Sequence, residues 1–264
     1  MATLLQTVRD IKSLKIQGSQ TIAEAALRAW ARAKNKRQAT HMLTTARPTE
    51  PMLFHAIAAA NAGHDPHELI KRFRADKKLI AKIGAKLIHD EMNVFTHCHS
   101  STVVDILKEA KKQGKKFEVY NTETRPLYQG RITAKELAKS GIKVHHYIDS
   151  AAMQAMENTE IFLIGADAIT KEGVYNKIGS DMFAGIALTY FKMPMYSCTH
   201  SWKFSHKAIK VEHRSKSEVW KGAPKKVHVH NPAFELVEKE FVKGIISQLG
   251  ILPFGKFLKK VKLK

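Results

Sequence analysis

The chain has 264 residues, 44% of them hydrophobic and 26% charged, the balance of a globular protein with a full core and not of a disordered chain. Its 44 Lys and Arg against 24 Asp and Glu give a formal charge of +20, a field that draws polyanions and phosphorylated metabolites alike. Two distant cysteines with no CxxC argue against a disulfide framework; no stretch of eighteen apolar residues suggests a membrane span, and the early charges Arg9, Asp10 and Lys12 do not fit a signal peptide, so a reduced, cytoplasmic setting is expected.

Leu4, Leu5, Val8, Ile11 and Leu14 recur at helix spacing, and after Gly18 an alanine-rich run from Ile22 to Trp30 does so again. The pattern breaks at Pro48 and Pro51, resumes as a helix over Met52 to Ala62 and stops at Gly63. Asp65-Pro66 is a cap and first-turn proline for a long helix reaching about Asp90, with Leu69, Phe73, Ile80, Ile83 and Leu87 on its buried stripe.

Near residue 92 the period changes. Short β-rich runs at Val94 to His97, Phe117 to Tyr120, Lys143 to Ile148, Ile161 to Ile164 and Met195 to Cys198 alternate with helical segments at Ser101 to Gln113, Thr133 to Ser140, Ala151 to Met156 and Asp181 to Tyr190. That alternation predicts βαβ units and a mainly parallel sheet, with the wholly apolar Ile161 to Ile164 as its central strand. Phe183, Ile186, Ala187 and Tyr190 are assigned to the core. Phe241 to Leu249 reads as a last helix closed by Gly250, followed by a lysine-rich tail, Lys256 to Lys264, that packs only Phe254, Phe257 and Leu258. Two domains are expected: helical, 1–92, and α/β with the basic tail, 93–264.

The lysines at 71–78, 108–116 and in the tail read first as a solvated face. Stacking aromatics between them are scarce and no zinc-finger spacing occurs, so a dedicated base reader is not indicated.

Ligands of open parallel sheets collect beyond the carboxyl ends of the strands. Three polar segments fall there: Thr96 to Ser101, Asn121 to Pro126, and Gly165 to Asp167 continuing to Asn176-Lys177. Cys98 stands before a helix start, where a thiolate is stabilised and a phosphate can be bound; the alternative is a cysteine buried as a small hydrophobe. Cys198 reads as core filler. His97 and His99 share one face of a strand with Cys98 on the other, an unsuitable set for a metal. Asp167 can orient a sugar hydroxyl or pass a proton, or it merely caps a turn. Arg47, Arg125 and Lys177 are candidate anion clamps, and Gly18-Ser19 at a helix start can add backbone donors. Divided between two phosphates, these donors suit a bisphosphate. The GxGxxG of a dinucleotide site is missing, which argues against nicotinamide or flavin.

Gly165-Ala166-Asp167 followed by Asn176-Lys177-Ile178-Gly179 resembles the signature of a superfamily that holds methylthioribose-1-phosphate isomerases, archaeal ribose-1,5-bisphosphate isomerases and the alpha, beta and delta regulatory subunits of translation initiation factor 2B. The resemblance runs from Ile16-Gln17-Gly18 through Thr44, Ala46-Arg47-Pro48 and Thr96 to Ser100 as far as Gly244-Ile245-Ile246. It implies a helical N-terminal domain followed by a Rossmann-like sheet flanked by helices. By the same resemblance, Cys98 and Asp167 are catalytic in a ring-opening aldose-ketose isomerisation, and Gln17, Gly18, Ser19, Arg47, Arg125, Asn176 and Lys177 bind substrate. No cofactor or metal is implied, and a homodimer or higher homo-oligomer is. Thr122 to Pro126 with Gln129-Gly130-Arg131 is most similar to the ribose-bisphosphate branch, whose substrate is a phosphorylated sugar. The alternatives are a regulatory subunit with a translation-factor partner and, more weakly, a methylthioribose-1-phosphate isomerase. One departure is Gln17, where the isomerases typically carry arginine; Lys15 is near enough in sequence to supply a cation.

Overall fold

The computed structural model describes residues 3–262; the end of the lysine-rich tail, 263–264, lies outside the described residues. The chain begins with α1 (Leu4–Lys12), α2 (Ser19–Arg32), α3 (Lys36–Ala46), α4 (Pro51–Asn61) and α5 (Pro66–Ala85). Four of these follow the spacing read from the sequence. The other, α3, fills a stretch without an expected element, because its apolar stripe is reduced to Ala39, Leu43 and Ala46 on an otherwise polar helix. Asn35 starts it by accepting the Gln38 amide at 2.9 Å. Asp65 accepts the His67 amide at 2.7 Å to begin α5, which ends at Ala85, short of Asp90. Ile22, Leu27, Leu43, Leu53, Ile57 and Phe73 bury together in the helical layer. Farther along α5, Ile80 and Ala85 join a different core with Val94, Val103 and Leu107.

The second part alternates β1 (Asn93–Thr96), α6 (Ser101–Lys112), β2 (Glu118–Thr122), α7 (Gln129–Lys139), β3 (Lys143–Tyr147), α8 (Ala152–Met156) and β4 (Ile161–Ile164). After it come β5 (Ala168–Ile169), β6 (Gly173–Lys177), α9 (Ser180–Phe191), β7 (Met195–Cys198), β8 (Phe234–Glu238), β9 (Val242–Ser247), β10 (Gly250–Leu252) and α10 (Phe254–Lys262). Seven strands form one sheet in the order β10-β9-β7-β4-β1-β2-β3, parallel except for β10. The wholly buried β4 lies at its centre, as its apolar sequence predicts. From β1 the chain winds outward through β2 and β3, then returns to β4 on the other flank of β1. Winding therefore reverses between β1 and β4, and a crevice opens beyond their carboxyl ends.

Three expectations are corrected. Val242 to Ser247 is a strand, not a helix: its β-branched Val242, Ile245 and Ile246 are buried between β7 and the returning β10. Gly250, at φ 111°, turns the chain into β10 and closes no helix. The tail forms α10, with Phe254 and Phe257 buried and Leu258 packed beside them. Tyr190 is 66% exposed, because α9 turns only one face to the sheet. Cys198 is fully buried, the filler expected of it.

Candidate active site

Cys98 occupies the first bend after β1 with φ 68°, a left-handed backbone that a residue with a side chain adopts only when its surroundings impose it. Two threonines do so: Thr124 Oγ1 accepts the Cys98 amide at 2.9 Å, and Thr133 Oγ1 donates to the Cys98 carbonyl at 2.9 Å. Below, buried His97 donates from Nε2 to the Ile178 carbonyl at 3.0 Å, leaving Nδ1 to accept from Thr122 Oγ1 at 2.6 Å. Burial holds its imidazole down at about 4, so it is a neutral strut between β1, β2 and the end of β6. Among the described residues, no group of three or more His, Cys, Asp or Glu is placed to hold a metal ion.

The other lip of the crevice is the exit from β4. Gly165 lies so close to Ser100, the cap of α6, that an added Cβ would stand 2.7 Å from Ser100 Oγ. Gly165→Ala is therefore expected to push this cap off its helix, costing about 1–3 kcal/mol in stability and shifting the Cys98 loop. A denaturation midpoint close to that of the unmodified protein would contradict the expectation. Two residues on, Asp167 is only partly accessible; burial raises its carboxyl above the usual range, while Lys203, Arg47 and Lys177 pull it back.

Asn176 and Lys177, read from the sequence only as part of a polar segment, lie on β6, the centre strand of a small antiparallel sheet, β5-β6-β8. Its pairing with Phe234 to Glu238, some sixty residues away, hides it from any local pattern. This sheet folds Asn176 and Lys177 back over the crevice. Asn176 donates to Ser180 Oγ at 2.9 Å. Lys177 is buried, and that burial lowers the proton affinity of its ammonium.

The crevice has two connected compartments that share Gly18, Thr21, His99, Ser101, Asp167 and Asn176 in their walls. The first, about 490 Å³, contains Cys98 and Asp167 together with Arg47, Lys177, Arg214 and Gln17. The second, about 400 Å³, is lined by Lys203, Arg28, Arg74 and Lys77. The first turns of α2 and α6 also border it, presenting amides that suit an anion.

Of the candidate residues, Cys98, Asp167, Gln17, Gly18, Ser19, Arg47, Asn176 and Lys177 all line this crevice. Arg125 does not: its guanidinium is exposed and donates to the Tyr128 hydroxyl at 2.7 Å and the Val219 carbonyl at 3.1 Å. Lys15 does not replace a cation at Gln17 either. It lies 3.7 Å from Asp10, and the Gln17 amide turns to the Leu14 carbonyl at 2.6 Å. The helix start beyond Cys98 favours a thiolate, but burial prevails over it. Burial pushes its thiol up to about 12, outweighing the His99 amide and Lys177, so the resting cysteine is protonated.

Lys203, Arg214, Arg28, Arg74, Lys77 and Glu50 are wall residues that sequence reasoning missed. Lys203 donates to the Ala166 carbonyl at 2.5 Å from a turn after β7. The Trp202-Lys203 pair after a strand end was its one sequence signal; the cations of α2 and α5 had none to separate them from a solvated face.

A positively lined crevice at the reversal point of a parallel sheet, roofed by helices, defines an α/β protein with a site of the kind that suits small anions. The comparisons with known proteins carry that class to a family. The chain belongs to the Initiation factor 2 subunit family, which it matches over residues 8–254. It is 34% identical to the ribose 1,5-bisphosphate isomerase of Thermococcus kodakarensis, covering 95% of this chain and 91% of that protein. To the ribose 1,5-bisphosphate isomerase of Methanocaldococcus jannaschii it is 32% identical, covering 96% and 92%. Among solved structures, the translation initiation factor eIF-2B of Pyrococcus horikoshii OT3 superposes with a TM-score of 0.82 at 26% identity, covering 96% of this chain and 98% of that one.

Proposed function

We propose that this chain is an aldose-ketose isomerase that converts ribose 1,5-bisphosphate to ribulose 1,5-bisphosphate. One observation supports the reading: two connected cation-lined compartments share Asp167 in their walls, enough for two phosphates, and Cys98 lines the compartment that also holds Arg47 and Lys177. The full-length likeness to the isomerases of T. kodakarensis and M. jannaschii supports it.

The reaction breaks the ring bond between C1 and O4, moves a hydrogen from C2 to C1 and makes a carbonyl at C2. No co-reactant is consumed. Because Cys98 rests as a thiol, it first gives its proton to the departing ring oxygen. The resulting thiolate takes the C2 hydrogen as a proton, leaving an enol across C1 and C2. The re-formed thiol then delivers that proton to C1, while the Asp167 carboxylate removes the O2 proton to give the ketone. Transfer of a proton from Asp167 to the thiolate restores the starting state. Lys203, Arg47 and Lys177 keep Asp167 ionisable despite its burial. Gly18 and Ser19 at the α2 start, Arg47, Asn176 and Lys177 hold the phosphates and hydroxyls; Gln17 offers an amide where a fork-shaped cation would bind more tightly.

The division into a helical domain, 1–92, and an α/β domain, 93–264, a cytoplasmic setting and a homodimer or higher homo-oligomer belong to the same proposal. Among the described residues, no helix is long and apolar enough to cross a membrane. No cofactor enters the reaction.

Incubation of the pure protein with ribose 1,5-bisphosphate, followed by product analysis, is expected to yield the ketose. If the aldose is recovered unchanged, the isomerase reading falls. The likeness to the P. horikoshii initiation factor supports a second reading, a regulatory subunit with a translation-factor partner. Stable capture of such a factor by a protein without turnover would favour it.

A further inference from the structure

Glu50 is a carboxylate of the Cys98 compartment that the reaction above does not use. It sits at the N-cap of α4 but caps nothing, and only 4% of it is exposed. It lines the compartment of Cys98 and Asp167, where its Oε2 and the Arg47 Nε are buried without a hydrogen-bond partner. Arg47 stands between two acids, with Nη2 3.3 Å from Glu212 Oε2 and Nε 3.9 Å from Glu50 Oε1. Glu212 is shared with Arg214, whose Nη1 lies 3.9 Å from Glu212 Oε1, so it answers only part of the Arg47 charge. An ionised Glu50 takes up what is left, which weakens the hold of the guanidinium on a phosphate.

We propose that Glu50 is a positioning residue that acts through Arg47: uncharged, it leaves the guanidinium to the substrate anion, and ionised, it claims the guanidinium for itself. The inference rests on the reading of Arg47 as a phosphate clamp. The groups facing Glu50 are Asp167 from the β4 exit, Lys203 from the turn after β7, Arg47 from the end of α3 and Ser19 from α2, with Lys210 in a small adjoining cavity. Burial, reinforced by the Asp167 charge, pushes the Glu50 carboxyl up to about 7, while Ser19, Lys203 and Arg47 pull it down. A carboxyl so raised is neutral below that pH and gains its charge above it. Affinity for a bisphosphate therefore weakens as pH rises through about 7.

The test compares wild type with Glu50→Gln, which keeps the shape and removes the titration. Between about pH 6 and pH 8.5 the ratio of variant to wild-type kcat/KM should climb about tenfold, through KM and not through kcat. Ionisation of the substrate is common to both proteins and cancels in the ratio. A ratio flat across pH overturns the proposal, and so does a change confined to kcat. Calorimetry with inorganic pyrophosphate reads the same effect without catalysis. Wild-type affinity falling with pH beyond that of the variant supports the role of Glu50 even if ribose 1,5-bisphosphate is not turned over; equal pH dependence overturns it. Should the variant not fold, carboxyl-carbon titration of Glu50 in wild type decides: pyrophosphate must raise its midpoint, and an unmoved midpoint overturns the proposal.

Discussion

Cys98→Ser and Asp167→Asn are each expected to lower kcat for ribose 1,5-bisphosphate by about 10²–10⁴-fold, with KM little changed. Serine keeps the size of the cysteine side chain and the backbone contacts to Thr124 and Thr133 that hold residue 98 in its left-handed conformation. Its hydroxyl, however, gives up a proton far less readily than a thiol, so neither the ring oxygen nor C1 receives one. Asparagine removes the only proton acceptor placed at the exit of β4. It also removes a negative charge from among Lys203, Arg47 and Lys177, so phosphate binding is preserved or strengthened. A fall in kcat without a rise in KM separates proton handling from binding. Variants that retain full turnover would remove Cys98 and Asp167 from the reaction, whatever the substrate proves to be.

The largest expected loss of stability belongs to Phe73→Ala. Phe73 is fully buried on α5 and meets two rings edge-on, Trp202 at 5.2 Å and His200 at 5.6 Å between centroids. Truncation leaves a cavity and deletes both aromatic contacts, a cost of about 3–5 kcal/mol. Thermal unfolding should move down by roughly 10 °C. The residues it touches give the loss a functional consequence. His200, Trp202 and Lys203 lie on the same short turn, which His200 ties to Asp76 on α5 at 3.0 Å. Loosening the turn moves the Lys203 ammonium away from Asp167, so turnover at permissive temperature should also fall. Phe73→Leu, which keeps most of the volume, separates the two effects: stability largely recovered with turnover still reduced would locate the aromatic contacts in the support of Lys203. A midpoint unchanged in Phe73→Ala would show that the helical layer does not depend on this contact.

Where periodicity is strong, local sequence anticipated local structure. β4 and β7 have the bounds their apolar runs predict, and the Asp65-Pro66 start of α5 is set by a side-chain cap and a fixed φ, both local effects. α3 was invisible because three small or medium apolar residues on a threonine-rich segment give little signal until neighbours bury them. Val242 to Ser247 was misread for the reason that short apolar runs generally are: an apolar stretch of that length suits a buried strand or helix equally, and only its pairing with β7 and β10 decides.

The site divides in the same way. The positions of Cys98 and Asp167, each just after an apolar run, together with the order of the motifs around them, were enough to bring forward two residues that line one crevice with most of their expected polar company. Residue type and chain order are properties that sequence states directly. The proton on Cys98 was not among them, since the helix start argued for a thiolate and burial, a property of all the surrounding atoms, argued more strongly for the thiol. Nor were Lys203 and Glu50, brought to Asp167 from 36 residues later and 117 residues earlier in the chain. Arg125 failed for the opposite reason: its segment does converge through Thr124, but its own side chain points to Tyr128 and Val219. Sequence by itself determined the α/β architecture and the family, and it brought Cys98 and Asp167 forward as candidates. Tertiary structure alone decided which of 44 cations line the crevice and which way burial moves the titratable groups there, because charge and solvation act through space and not along the chain.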